Sequence, residues 1–549
     1  MMTADAVIIG GGHHGLVAAA VLADAGWDVC VCESTDVVGG AVRSERLFAG
    51  HPEFVADLYS AFYPLSAASP VLRALELDRH GLQWAHAPSV LAHPPRPDGA
   101  PAAVLHHDRE RTAAGLAEHD PRDGEAWLRL CEQWDRIAEP LLHTLFTPFP
   151  PVRGPVALLR RIGTAEALRL ARFLLLPARR MGQELFASEG ARLLLAGNAV
   201  HADAPPDAPA SGVYGWLLAM LGQHYGFPTP VGGSGELAAA LARRATAAGA
   251  QILTGQHVER VEVSGGRAVA VHTAAGLTVR ARRAVIGDVS APILFSELLP
   301  ADALPARMRD DLRRFVWDTP VVKVNWALDG PIPWRAANVA GAGTVHLGAD
   351  ELGLARWSAD IESRAVPESP FMLFGQMTTA DPTRSPAGTE SAWAYTHLPR
   401  DVFDRDSATL LADRVDAVVE SFAPGFSARV LSRVVQDPSS LQAAEPNLLH
   451  GAVGGGTAQL FQQLVFRPVS GLGRAETVIE NLYLGSASAH PGGGVHGACG
   501  WIAARAALGE HGRLGRLRRR VTSAALDVVY RDSPSAMYDS RRSDSTLRG

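Results

Sequence analysis

The spacing Gly10-x-Gly12-x-x-Gly15, joined to an acid at Glu33, is a set of residues that can hold a phosphorylated ligand. Gly10 permits a tight turn, Gly12 lets backbone approach a diphosphate, and Gly15 lets a helix pack closely on a strand. The helix that follows would aim unpaired N–H groups and a partial positive charge at the phosphates. A carboxylate eighteen residues past Gly15 can accept hydrogen bonds from ribose hydroxyls and would repel a 2′-phosphate. In this context the set predicts a bound dinucleotide. The loop Gly39-Gly40-Ala-Val-Arg43 comes next. Its glycines can pass close to the ligand, and Arg43 is placed to meet phosphate or flavin carbonyls.

These residues need strands and helices to position them. An apolar run over Ala6–Ile9 predicts a first strand, an Ala/Leu/Val run to Ala25 predicts a helix, and Asp28–Glu33 predicts a second strand. From about Pro70 to Phe227, Leu, Ala and Arg recur at helical spacing, so this stretch reads as a mainly helical insertion. Nucleotide-binding character returns at Pro230-Val-Gly232-Gly233-Ser-Gly235, followed by a helix and a β-meander ending in Ala284-Val-Ile-Gly-Asp288. Within that meander Val258 is a candidate to contact adenine through its backbone. The strand Val321–Leu328 puts Lys323, Asn325 and Ala327 on one face and Val322, Val324 and Trp326 on the other. Near the end of the chain a strand runs to Gly485, a loop carries Gly492, Gly493, Gly494 and Val495, and a helix follows from about Gly497 to Leu508. That helix N-terminus offers a second positive dipole end, suited to a flavin pyrimidine edge or ribityl chain.

No second GxGxxG follows a strand, so a separate nicotinamide domain is not expected; one tightly held dinucleotide fits FAD better than NAD. The fold class is α/β: a Rossmann-like FAD-binding domain of glutathione reductase/amine oxidase type, with an interleaved α+β substrate domain. Residues 1–75, 228–300 and 471–529 are assigned to FAD binding, 76–227 and 301–470 to the substrate domain, and 530–549 to a disordered tail.

Composition narrows the class. A chain of 549 residues, 47% hydrophobic and 20% charged, reads as a soluble globular protein of more than one domain. The net charge of −6 speaks against a nucleic-acid binder. No C-x-x-C pair occurs among Cys30, Cys32, Cys131 and Cys499, which speaks against a dithiol redox centre of the disulfide-reductase kind, and no metal site is expected. Lys323 is the only lysine among 51 basic residues, a bias read as the imprint of a GC-rich, bacterial genome. No apolar run reaches the roughly 20 residues that span a bilayer, so the cytoplasm is the expected location. Residues 141–183 carry seven arginines and one acid, Glu166. This basic, amphipathic stretch suits either peripheral contact with an anionic membrane or a solvated helix pair over the substrate cavity.

The stretches Asp5–Leu16, Val37–Ser44, Gly232–Leu237, Lys323–Leu328 and His490–Ala498 together resemble the phytoene desaturase-related FAD oxidoreductases, within the amine oxidase and glutathione reductase-like superfamily. Within these the chain is most similar to the branch that contains pyridine nucleotide-disulfide oxidoreductase domain-containing protein 2. The first motif departs from the common family form, reading Gly-Gly-Gly-His-His-Gly where relatives often have Gly-Ala-Gly-His-Asn-Gly. The resemblance implies that Gly10, Gly12, Gly15, Glu33, Gly39, Gly40 and Arg43 bind FAD, and that His490, Gly493 and Gly494 lie against the flavin. It also implies oxidation of an apolar, often isoprenoid, substrate by hydride transfer to flavin N5, with oxygen or a quinone as electron acceptor. Lys323 is a candidate catalytic residue because flavin amine oxidases similar to this superfamily use a lysine near N5. A buried lysine can shed its charge and serve as a base. His490 is a second candidate base, or the residue that orders its loop. His201 and Asp203 are candidates for the substrate cavity. Two alternatives stand beside this reading: a flavoprotein with a regulatory or assembly role, and an amine oxidase, which would need an aromatic pair facing the flavin.

Overall fold

The structure, a computed structural model, describes residues 1–471 and 473–531; the expected tail disorder lies outside them from residue 532 onward. The chain begins with β1 (Met2–Ile9), α1 (His13–Asp24) and β2 (Val29–Cys32). It then leaves this layer for β3 (Ser89–His93), β4 (Ala103–Leu105), α2 (Pro121–Leu145) and α3 (Arg153–Leu175). It returns with α4 (Gly235–Ala247), β5 (Gln251–Leu253), β6 (Val258–Ser264), β7 (Arg267–Thr273) and β8 (Thr278–Gly287). A second excursion contributes β9 (Val321–Leu328), β10 (Ala342–Leu347), β11 (Met372–Gln376), β12 (Glu390–His397) and β13 (Val430–Gln436). β14 (Leu482–Leu484) and α5 (Ala498–Glu510) close the first layer.

The first sheet runs β6-β7-β8-β1-β2-β5, with β14 beside β8. Its centre is parallel, and β2 with the C-terminal halves of β1 and β8 is buried on both faces, which is why Ala6–Ile9, Val29–Cys32 and Ala284–Ile286 read as continuous Ala/Val/Ile/Cys runs. Cys30 and Cys32 are free and share one buried face. Register decides what meets at the carboxyl edge. Ile9 lies opposite both Cys32 and Gly287, and Leu484 lies opposite Gly287. The residues one step further, Gly10, Glu33, Asp288 and Gly485, therefore emerge side by side, at the edge where open α/β sheets bind ligands.

The second sheet runs β13-β9-β12-β11-β10-β3-β4 and is mostly antiparallel. Two of its strands come from the stretch expected to be mainly helical. Ser89–His93 is buried at every position, so it shows no alternation and its short apolar run gives no period to read. A third, two-residue strand lies at Trp84–Ala85, and the other regular elements of that stretch are helical. Asp120 caps α2 with Pro121 at its first position, and α2 buries Trp127, Leu130, Trp134 and Ile137 along one stripe. Helix α3, broken at Gly163, buries little: only Gly154 and Leu170 are fully covered. Among the described residues no helix is long and apolar enough to cross a membrane.

A fully buried ion pair ties the segment after β2 to the connection between β11 and β12. Arg384 donates from both terminal nitrogens to the Asp57 carboxylate, and neither side chain is exposed. Asp57 Oδ1 also accepts from Ser234 N at 2.8 Å, while Asp381, beside Arg384, accepts from Gly232 N at 2.8 Å. The Gly232–Gly235 turn is thus held by two carboxylates, Asp57 from the segment after β2 and Asp381 from the connection between β11 and β12.

Candidate cofactor site and substrate cavity

A cavity of about 1030 Å³ opens along the carboxyl edge of the first sheet and continues against the second. It is at the top of the range of about 300–1,000 Å³ usual for small-molecule sites. Gly10, Gly12, Glu33 and Gly40 line it beside Val258, Gly493, Gly494 and Val495. Glu33 is buried; its Oε2 accepts from Gly11 N at 2.7 Å and its Oε1 from Thr35 N at 2.8 Å. Oε1 also faces the hydroxyls of Thr35 at 2.9 Å and Ser34 at 3.2 Å, so ribose hydroxyls would bind Glu33 by taking the place of these two side-chain donors. Gln256, Val258 and Glu259 share this part of the wall, and Gln256 N donates to Glu33 O at 2.7 Å.

Other predicted residues act from behind the wall. A Cβ on Gly15 would collide with Gly10 O, so Gly15 serves the close packing of α1 on β1. Gly39 N donates to Gly11 O at 2.9 Å and fixes Gly40 next to Gly12. Three expectations need correction. Gly485 does not line the cavity; a Cβ there would press on Ile286 and Ala503, so its smallness lets α5 pack on β14. Arg43 also lies outside the lining, with its guanidinium 2.7 Å from Glu45, which competes for the charge that would meet a phosphate. His490 turns away from the cavity and donates through Nε2 to Thr147 O at 3.1 Å, tying its loop to the helical layer.

Four features of the wall escaped the sequence reading. Asp288 closes β8 and lies across α1, with Oδ2 2.7 Å from Gly15 N. Glu445 is a second buried acid in the lining. The loop Gly454–Gly456 faces Gly493, and Asp318 holds it by accepting from Val453 N, Gly454 N and Gly456 N. Arg467, almost fully buried, donates to Gly454 O at 3.1 Å and to Ala487 O at 2.6 Å, clamping this loop to the one after β14. An acid ending an apolar strand and a run of three glycines were the visible signals. Their meaning depended on register and loop packing.

Lys323 sits in mid-sheet, between β12 and β13, and only 2% of it is exposed. Its Nζ donates to Asp57 O and, at 3.2 Å, to Tyr59 O. Burial pulls its pKa from the ordinary 10.5 down to about 7. A neutral amine has two N–H groups, and these two carbonyls take both, so its lone pair stays free. Trp393 and Tyr395 lie next to it in the wall, stacked at 5.9 Å with 18° between planes, and the Trp393 ring is 5.3 Å from Nζ. The pair is too tight to admit a group between its rings, which would need about 7 Å at normal carbon contact distances. His201 lines the cavity, its Nε2 2.9 Å from that of buried His346, and burial pushes His201 down to about 3. Asp203 is engaged by Arg400 at 2.9 Å and by Ala458 N at 2.6 Å.

The ligand atoms of His14, His496 and Cys499 lie within 4.8 Å of one another. Two of the three are already engaged by backbone. His496 accepts from Ala498 N and donates to Gly492 O, and the Cys499 thiol, pushed up to about 12 by burial, faces Ala489 O and Gly492 O. This leaves only His14 to offer a ring nitrogen.

The glycine cradle around Gly10, Gly12 and Gly40, with the N-termini of α1 and α5, fits a dinucleotide. Comparison with known proteins agrees. Residues 15–508 match the family described as flavin containing amine oxidoreductase. The chain is 30% identical to pyridine nucleotide-disulfide oxidoreductase domain-containing protein 2 of Rattus norvegicus, over 91% of this chain and 92% of the relative. It is 23% identical to a subunit of limonene dehydrogenase from Castellaniella defragrans, over 92% of this chain and 95% of the relative. Cyclohexylamine oxidase from Brevibacterium oxydans has a similar fold, with a TM-score of 0.56 at 16% identity, covering 92% of this chain and 99% of that one.

Proposed function

The chain belongs to the flavin containing amine oxidoreductase family, with FAD as its cofactor, and from that premise we propose that it dehydrogenates or desaturates an apolar, isoprenoid- or lipid-like substrate. The observation that carries this reading is a buried Lys323, its pKa lowered by burial to about 7, in a wall that includes Phe62, Leu373, Trp393 and Tyr395. Bound FAD would supply the hydride acceptor. Gly10, Gly12, Gly40 and Glu33 would hold its diphosphate and ribose, and the start of α5 would favour negative charge near the ring. Lys323 would take or hold the second proton at Nζ, and the apolar wall would keep water from that step. A relative named for limonene, a hydrocarbon, supports an apolar substrate. Oxygen or a quinone is the proposed electron acceptor.

An anaerobic screen that follows bleaching of the flavin band tests this. Isoprenoid or lipid compounds should bleach it. Bleaching by amines alone, with peroxide formed in air, would replace the proposal by an amine oxidase. No bleaching by either class would leave a regulatory or assembly role.

The stretch 141–183 keeps its place as a proposed membrane contact, on altered grounds. Five of its seven arginines are paired: Arg161 with Glu139, Arg169 with Glu166, Arg172 and Arg180 with Glu184, and Arg179 with Asp207. Its exposed apolar groups, Val152, Val156, Leu159, Leu168 and Leu175, remain. Contact would therefore rest on apolar insertion more than charge. The protein should co-sediment with vesicles whether or not they contain anionic lipid, and Leu159→Asp with Leu168→Asp should abolish this. Equal sedimentation by that double variant would refute the contact.

A further inference from the structure

Asp288 stands where a negative charge is least welcome. Register places it beside Gly10, and its backbone N donates to Ile9 O at 2.7 Å. Its side chain crosses the first turn of α1, 2.7 Å from Gly15 N, and a Cβ at Gly12 would stand 2.6 Å from Oδ2. The residue is 9% exposed and lines the cavity, while Oδ1 has no hydrogen-bond partner among the described residues. The same helix N-terminus is the fold's place for a diphosphate. An ionised Asp288 would therefore face the ligand's two negative charges at close range.

The surroundings do not neutralise that charge. From β2 comes Glu33 and from the 438–447 segment comes Glu445, both buried acids that act on Asp288. From α5 comes the Cys499 thiol, itself neutral because burial pushes it up to about 12. The titratable side chains on the first turn of α1 are His13, held down to about 4 by burial, and His14, which burial also holds well below the ordinary imidazole value. Among the described residues the Gly15 N–H is the one donor to the carboxyl.

We propose that Asp288 is a diphosphate-binding residue that gives, rather than takes, a hydrogen bond at the start of α1, and that this makes cofactor capture pH-dependent. Oδ2 keeps the bond from Gly15 N, and Oδ1 carries the proton that the ligand receives. Burial, reinforced by Glu445 and Glu33, holds the carboxyl well above the usual carboxylate range, in keeping with that role. Raising the pH removes the proton, turns a donor into a repelling anion, and loosens the cofactor.

The inference rests on the FAD reading, and its test separates the two. FAD affinity of the stripped, refolded protein is measured from pH 6 to 9 by quenching of flavin fluorescence. Affinity of the unaltered chain should fall by at least about tenfold as Asp288 ionises. Asp288→Asn, which keeps an acceptor for Gly15 and a donor for phosphate, should bind with little change across that range. Asp288→Ser serves the same end if the Asn variant does not fold. Calorimetry of the unaltered chain in two buffers should show proton uptake with FAD at the alkaline end. An unchanged pH profile in the neutral variants, or no proton uptake at any pH, overturns the proposal. A chain that binds no FAD at any pH would instead fail the cofactor reading.

Discussion

Replacing Lys323 by Met is expected to slow anaerobic flavin reduction by about 10²–10⁴-fold, the usual contribution of a positioned base, while leaving FAD bound. Met fills similar volume in the wall and removes only the amine. The reaction of the unaltered chain should speed up as pH rises through about 7, where Nζ becomes neutral, and then level off. That rising limb should vanish in the variant. Stability should also rise with pH, over a higher window. The unfolded lysine stays charged to about 10.5, whereas the buried one sheds its proton near 7. Its burial therefore costs most stability at pH 7 and below, and the cost lessens between pH 7 and 10.5. Lys323→Met should be at least as heat-stable as the parent at neutral pH. Stopped-flow reduction across pH, set beside melting curves, checks both halves. Unaltered reduction would make Lys323 a structural residue.

Asp57→Ala should have the largest effect on stability. Arg384 is fully buried and would lose both bonds to its carboxylate partner, the situation that typically costs about 3–5 kcal/mol. Ser234 N would lose its acceptor as well. Unfolding in urea should begin earlier and the melting temperature should fall. Adding Arg384→Met should recover much of the loss, because a well-packed apolar pair can replace a buried ion pair at little cost. A melting temperature indistinguishable from that of the parent would show that the pair does not hold the Asp57 segment to the β11–β12 connection. Asp57 O also receives a bond from Lys323, so cofactor reduction in the single variant should report a disturbed site even before unfolding.

Parts of this arrangement could be read from sequence because they are local. Gly10 to Glu33 is a strand, turn, helix and strand whose periods and glycines are set by near neighbours. The faces of Val321–Leu328 follow from alternation alone, and Lys323 indeed points away from Val322, Val324 and Trp326, which pack in one apolar cluster. What depended on distant partners was hidden. Asp288 gains its meaning from the Ile9–Gly287 register, 278 residues apart. His490 and Gly485 sit within a few residues of the cavity wall, yet backbone direction turns one toward Thr147 and the other toward Ala503. The excess of arginine in 141–183 looked like a bare positive field because Glu139 and Glu184 lie just beyond that window and Asp207 is brought to it only by the fold.

The place of β14 has a consequence for the order of events during synthesis. β1 is among the first residues made, but the sheet edge it needs is completed only when Leu482–Leu484 pairs with Val285–Gly287. At about 5–20 residues per second, the interval is roughly 25–100 s. Once β8 is made, its Val285–Gly287 stretch presents an open edge for the remainder of that interval, and the cradle lacks the loop and helix that follow β14. FAD capture is therefore a late event, which falls after most of the chain has left the ribosome. A ribosome-stalled fragment ending before residue 480 would hold the fingerprint glycines in an unfinished sheet, a better substrate for chaperones than for a cofactor.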